Sequence, residues 1–201
     1  MMHPQHRLSR GRRAGRSGRQ QGIVLVTALL ILIVLTVLAV SMFRNYGLQE
    51  RIAGNMREKQ RAFHAAQSAL QYGEYWLAQG NGGSGTACST LLDANATTPT
   101  TQICSNALTA TQVASVPWKS NANADIGVNY APPSLTVSTV GGTSSYAITP
   151  RFYISPLGLD LSGLREIYSV TAMGYGGNST AVSVVQSVYS IKSGVIDAGG
   201  P

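Results

Sequence analysis

The 201-residue sequence predicts an α+β fold, with one long N-terminal helix packed on a C-terminal antiparallel β-sheet head. Three observations predict it. Residues 23–43 carry no charge, residues 44–79 place apolar side chains at helical spacing, and the last third alternates in short β-branched runs separated by glycine-rich turns. The length suits one core plus an appendage rather than two cores.

The first element is a basic leader, residues 1–22. The chain has a net charge of +7, yet Arg7, Arg10, Arg12, Arg13, Arg16 and Arg19 all precede Ile23, with no acid among them. Beyond Gly22 there remain nine Lys and Arg (15 less six) against eight Asp and Glu, a balance of +1. The high pI therefore describes a tail and not a binding face, so no specific nucleic-acid partner is expected.

The second element begins at Ile23. Residues 23–43 are 21 uncharged residues, interrupted in polarity only by Thr27, Thr36 and Ser41. As a helix they span roughly 31 Å, enough to cross a hydrocarbon core. Six arginines before the run and Arg44 after it place the N-terminus in the cytoplasm and the rest outside. A removable signal peptide cut after Ala39-Val40-Ser41 is the rival reading. Against it, the apolar run exceeds the usual signal length and the helical pattern continues past Ser41.

That continuation is amphipathic. Leu48, Ile52, Met56, Phe63, Ala66, Leu70 and Leu77 trace one helical face, while Glu50, Arg51, Arg57, Glu58, Lys59, Arg61 and Glu74 fill the other. Gly47 and Gly54 weaken this stretch by about 1 kcal/mol each and mark the expected place of a bend or local unwinding. The helix is expected to stop at residue 79, before the cluster Gly80-Asn81-Gly82-Gly83-Ser84-Gly85.

Residues 80–201 form the expected head. Strands are predicted over 135–140, 146–155, 167–175 and 181–191, with a hairpin turn at Gly176-Gly177-Asn178-Ser179 joining the last two. In the final strand Val182, Val184 and Val188 share one face, and Val185, Tyr189 and Ile191 the other. Residues 86–134 show little periodicity and read mostly as loop. Cys88 and Cys104 are an even pair in an oxidising compartment and read as a disulfide worth roughly 3 kcal/mol. The rival reading, free thiols or half a metal site, lacks partner ligands, since His64 is the only histidine beyond the leader.

Catalytic chemistry finds no support. His64 has no neighbouring nucleophile or orienting acid, and Asp93, Asp125, Asp160 and Asp197 stand alone in sequence. Asp160-Leu161-Ser162-Gly163 reads as turn chemistry. No enzyme activity, metal or cofactor is expected.

A basic leader ending in glycine, an apolar helix directly after it, an amphipathic continuation and a β-rich head together resemble type IV pilin precursors. Within that group, QQGIVLVTALLILIVLTVLAVSM followed by LQERIAGNMREKQRAFHAAQSALQYGE resembles the N-terminal region of the PilX family of minor pilins. The stretch IYSVTAMGYGGNSTAVSVVQSVYSIK is similar to that family's C-terminal end. The resemblance covers about residues 19–77 and, more loosely, 164–192; the middle follows no pattern.

The resemblance implies that a membrane prepilin peptidase cuts between Gly22 and Ile23 and that the new amine of Ile23 is methylated. It implies residence in the inner membrane first and in the pilus afterwards, among other minor pilins, the major pilin and a large tip adhesin. One departure is informative. Most major pilins carry Glu at the fifth mature position, where this chain has Thr27. A hydroxyl accepts a hydrogen bond but cannot neutralise an ammonium in a dry interface, which points to a subunit that starts or caps the fibre near its tip. A pseudopilin of type II secretion and a membrane-tethered binding module with an uncleaved anchor are the alternatives on the same plan.

Overall fold

A computed structural model describes residues 22–98 and 100–192. The arginine leader before Gly22 and Asp197 lie outside these residues. Contacts divide the chain into a unit up to Gln49 and a unit from Glu50 onward, and the boundary falls inside one helix.

Helix α1 runs over Ile23–Ala78. It starts at the residue after Gly22 and ends where Gly80 adopts a left-handed φ of 85°, with Gly80 N–H donating to Leu77 O at 3.1 Å. That is the glycine stop expected of a helix C-terminus. The helix is uninterrupted through Gly47 and Gly54, so the local unwinding expected there does not occur. Two glycines at about 1 kcal/mol each are a small penalty against the hydrogen bonds of a 56-residue helix.

In the first unit, the apolar residues 23–43 of α1 are exposed along their whole length. By length and composition this is a segment able to cross a membrane.

In the second unit, five strands form one sheet in the order β1 (Leu91–Asp93), β2 (Gly127–Asn129), β3 (Arg151–Leu159), β4 (Arg165–Tyr175) and β5 (Val182–Lys192). β1 and β2 are parallel, and the other neighbours are antiparallel. A short helix, α2 (Ala110–Ala114), lies between β1 and β2 and is opened by a capping box from Thr109 and Gln112. The β4–β5 hairpin pairs Tyr175 with Val182. Asn178 Oδ1 ties its turn by accepting from Thr180 N–H at 3.1 Å and Ala181 N–H at 2.8 Å.

The sheet carries a core on each face. On one, Phe152, Ile154, Tyr168, Val170 and Ala172 pack on Ala69 and Leu77 of α1. On the other, Tyr153, Met173 and Tyr175 pack with Trp118, Ile126, Ala147 and the two cysteines. β4 is therefore buried on both faces from Tyr168 to Tyr175. β5 keeps the expected alternation: Val185, Tyr189 and Ile191 join the helix-side core, Val182 and Val184 the opposite one, and Val188 is exposed.

Two expectations are corrected. Residues 135–140 are not a strand, because Gly141 and Gly142 turn the chain at φ 79° and 148° and leave only a bridge between Val137 and Tyr146. β3 starts at Arg151 instead of 146, just past Pro150, which has no N–H to give a ladder. It also continues through Pro156, where a register shift between Pro156 and Gly158 absorbs the missing donor. Residues 86–134 are mostly loop, as expected, with β1, β2 and α2 as short elements within them.

Candidate functional site

Among the described residues, no group of three or more His, Cys, Asp or Glu side chains is placed to hold a metal. His64 is exposed on α1, where its ring makes an edge-on contact with Phe63.

Thr27 sits in the first turns of α1. Its Oγ1 donates within its own helix, lying 3.0 Å from Ile23 O and 3.0 Å from Val24 O. This back-bonding satisfies the hydroxyl proton without a partner subunit, so a uniformly apolar environment can surround it. Ile23 itself is exposed at the start of the helix.

The sheet-facing seam of α1 keeps Ala66, Leu70 and Leu77 of the predicted face but not its first four members. Ala62, Ala65, Ala66, Ala69 and Leu77 are buried against the sheet. Gly73 joins them, since a Cβ there would meet Val170 Cγ1 at 3.0 Å. Leu48, Ile52 and Met56 are each more than half exposed, and Phe63 is exposed too. The seam selects small residues because the strands come very close. A Cβ on Gly174 would stand 2.5 Å from Ala62 O and 2.8 Å from Ala65 Cβ. Periodicity alone favours the larger side chains; only the partner's distance reveals that alanines form the contact.

Polar clamps fix α1 to the head's loops. Arg61 donates to Gly142 O at 3.0 Å and Ser145 O at 2.5 Å, and its guanidinium lies 5.0 Å from the Tyr146 ring centroid. It also pairs with Glu58 at 3.0 Å. Glu58 accepts from Gly177 N–H in the β4–β5 turn, and Lys59 donates to Val182 O. Partial burial raises the Glu58 pKa, but the Gly177 and Arg61 hydrogen bonds outweigh it and leave the carboxyl below its ordinary value of 4.5. The only sequence signal for this clamp is a Glu and an Arg at i, i+3 spacing.

Cys88 and Cys104 are joined by a disulfide with a Cα–Cα distance of 5.2 Å. Cys104 N–H donates to Ile154 O at 2.7 Å, which fastens the bridge to β3. Asn106 holds Cys88 from both sides, accepting from its N–H at 2.7 Å and donating to its carbonyl at 3.0 Å. Tyr153 Oη donates to Asn106 O at 2.6 Å, and burial pushes this phenol up to about 12.

Asp125 does not stand alone. It pairs with Lys119 and, at 3.1 Å, with Arg151. The hydrogen bond from Lys119 leads in holding its pKa below the ordinary 3.8. Arg151 is buried and also donates to Asn129 Oδ1 at 3.1 Å, which removes it from any phosphate-binding surface. Asp160 does what a turn residue does: its carboxylate accepts from Ser162 Oγ at 2.8 Å and from the Leu164 and Arg165 amides at 3.1 and 3.2 Å.

A membrane-length apolar helix continuous with one that lays a small-residue seam on an antiparallel sheet defines a pilin-like arrangement. Residues 21–71 match the family described as PilX N-terminal, and residues 78–191 match the one described as type IV pilus assembly protein PilX C-term. The chain belongs to the PilX family. It is thereby a minor pilin of type IV pilus assembly, a structural component that works with other pilus components. No curated protein and no solved structure shows a significant match to this PilX chain.

Proposed function

We propose that this PilX chain initiates or caps the pilus fibre at or near its tip, in company with other minor pilins, the major pilin and a large tip adhesin. The observation that carries the reading is Thr27. Five residues after Gly22 the chain offers a neutral hydroxyl whose proton is already given to Ile23 O and Val24 O. An incoming subunit's ammonium would find no carboxylate there, and a buried unpaired charge costs several kcal/mol. Repeated self-addition is disfavoured, whereas a single place at the end of the fibre needs no such pairing on one side.

In this reading residues 1–22 are the leader, 23–79 the helix that anchors and then packs, and 80–201 the head. Prepilin peptidase cuts at Gly22 on the cytoplasmic side of the inner membrane, and the amine of Ile23 is methylated. Glycine at the cut leaves the backbone unobstructed, and α1 begins at the next residue. Removing six arginines is a physical requirement for a helix that must later enter an apolar fibre core. N-terminal sequencing of the mature chain tests the processing, with methylated Ile23 expected only when the peptidase is active. Immunogold labelling tests the placement. Label at regular intervals along the shaft would refute it.

A further inference from the structure

Strand β5 is an outer edge of the sheet, and its free side is open. Next to the Tyr175–Val182 pair, Gly176 N–H donates to Ala181 O at 2.8 Å. Hydrogen-bonded and non-hydrogen-bonded pairs alternate along an antiparallel ladder, so Ser183, Val185 and Ser187 turn their N–H and C=O groups toward β4. Val182, Val184, Gln186, Val188 and Ser190 turn theirs away from it. Among the described residues one partner meets these outward groups, the Lys59 ammonium, which donates to Val182 O. Sheet edges are commonly blunted by proline, a bulge or charge. β5 pairs with β4 over 11 residues without a register shift, contains no proline, and carries its single charge at its last residue, Lys192. The open edge forms one wall of a groove of about 500 Å³, where Val182 and Val184 face Ala110, Val113 and Val116 in and after α2. Lys59 is the one charged side chain that lines it. Neighbouring charges on α1 do not cancel it: Arg57, Glu58, Lys59 and Arg61 sum to +2, three less one, and Glu58 is held by Arg61 and Gly177.

We infer that this groove takes the free C-terminal end of an extended partner segment, which adds to the sheet antiparallel to β5 and sets its carboxylate beside Lys59. A row of unpaired N–H and C=O groups calls for another strand, and pockets for alternate side chains then give selectivity. Opposed residues of an antiparallel pair share a face, so the partner residue opposite Val184 lies against the Val113 and Val116 wall, where an uncharged β-branched side chain fits. The antiparallel direction brings the partner's chain end to Val182. There Lys59 gives one of its three donors to Val182 O and keeps two for a carboxylate, a charge-assisted contact. A second folded copy fits less well. Stable interfaces between folded surfaces take about 20–30 residues a side, against ten that line this groove. The inference does not depend on where the subunit sits in the fibre.

The test selects a library of random peptides, displayed with free carboxyl ends, on the full chain in detergent. Enriched sequences should carry uncharged β-branched residues at alternate positions near their ends. Amidating the carboxyl end of the best binder should weaken it by about tenfold or more. Lys59→Gln keeps a donor for Val182 O, so it should weaken the free acid by the same factor and leave the amide unchanged. Val113→Glu puts an acid on the α2 wall and should weaken both forms. Neither side chain is buried, so the urea midpoint of each variant should stay close to the parent's, which separates lost docking from lost folding. Amide hydrogen exchange distinguishes strand addition from other binding. In the free chain Val184 and Gln186 should exchange fast while Ser183 and Val185 are slow, and the bound peptide should slow Val184 and Gln186 by at least about tenfold. Slow exchange at Val184 and Gln186 in the free chain overturns the inference: at every concentration it means that the chain covers its own edge, and only at high concentration that a second copy does. A library that yields no enriched sequence, or a best binder unaffected by amidation, overturns it as well.

Discussion

Gly174→Ala is the sharpest probe of how α1 meets the sheet. The added Cβ would lie 2.5 Å from Ala62 O and 2.8 Å from Ala65 Cβ, and backbone atoms of a packed helix cannot swing aside. Overpacking of this kind costs about 1–3 kcal/mol, and contact with the helix backbone argues for the upper half. Against that, the φ of Gly174 is not left-handed, so alanine adopts it freely and returns about 0.5–1 kcal/mol of strand stability. The steric term wins, with a net loss of about 2 kcal/mol. In a chain of this size the melting temperature should fall by about 4–8 °C. Thermal unfolding of the full chain in detergent, followed by the fluorescence of Trp76 at the helix-side core and the buried Trp118, reads this directly. Gly54→Ala is the control. Nothing lies within 4 Å of its Cβ position, and on an exposed helix alanine should stabilise by up to about 1 kcal/mol. If both substitutions leave the melting temperature unchanged, the close helix–strand approach is wrong.

Other outcomes follow from the clamps, the bridge and the first turns of α1. Reduction of the Cys88–Cys104 bridge should lower stability by about 3 kcal/mol, seen as a lower urea midpoint in reducing buffer, and Cys104→Ser should reproduce the loss without reductant. Glu58 and Asp125 have folded pKa values below their ordinary 4.5 and 3.8, so their contribution is complete above those values and disappears as pH falls through the depressed ones. Urea midpoints measured between pH 6 and pH 3 should therefore drop on the acid side, and Glu58→Gln should flatten part of that drop. Thr27→Glu supplies the missing carboxylate and should move immunogold label from fibre ends into the shaft; label that stays at the ends would sever the link between this residue and placement.

The long helix and the last hairpin were legible because each depends on local pattern. Twenty-one uncharged residues and a glycine cluster bound α1, and alternating valines with a Gly-Gly-Asn-Ser turn define β4 and β5. The seam is legible in part, at Ala66, Leu70 and Leu77, but apolar periodicity ranks Leu48, Ile52 and Met56 above Ala62, Ala65 and Ala69. The sheet's proximity, enforced by Gly174 and Gly73, is a tertiary fact that reverses that ranking. Residues 86–134 stayed opaque for a related reason. β1 and β2 are three residues each, too short for periodicity, and their order comes from the bridge, Asn106 and the burial of Trp118. Gly22 and Ile23 as a processing site, and the meaning of Thr27, come from the resemblance alone. Thr27's internal hydrogen bonds, the Arg61 clamp and the Asp125 pairing needed coordinates.

The sheet divides the head into two regimes of tolerance to change. On the α1 side, alanines and glycines fix a spacing that leaves no room for even a methyl group at Gly174. Away from that seam, the stretches of residues 86–150 that lie between the disulfide, Trp118, the Asp125–Arg151 pair and the Arg61 clamp are largely exposed turns. Insertions between those points would lengthen loops at little thermodynamic cost. A lineage can therefore remodel the outward surface of this subunit extensively while the face that registers helix to sheet stays constant, which separates the evolution of what the subunit displays from the way it is held together.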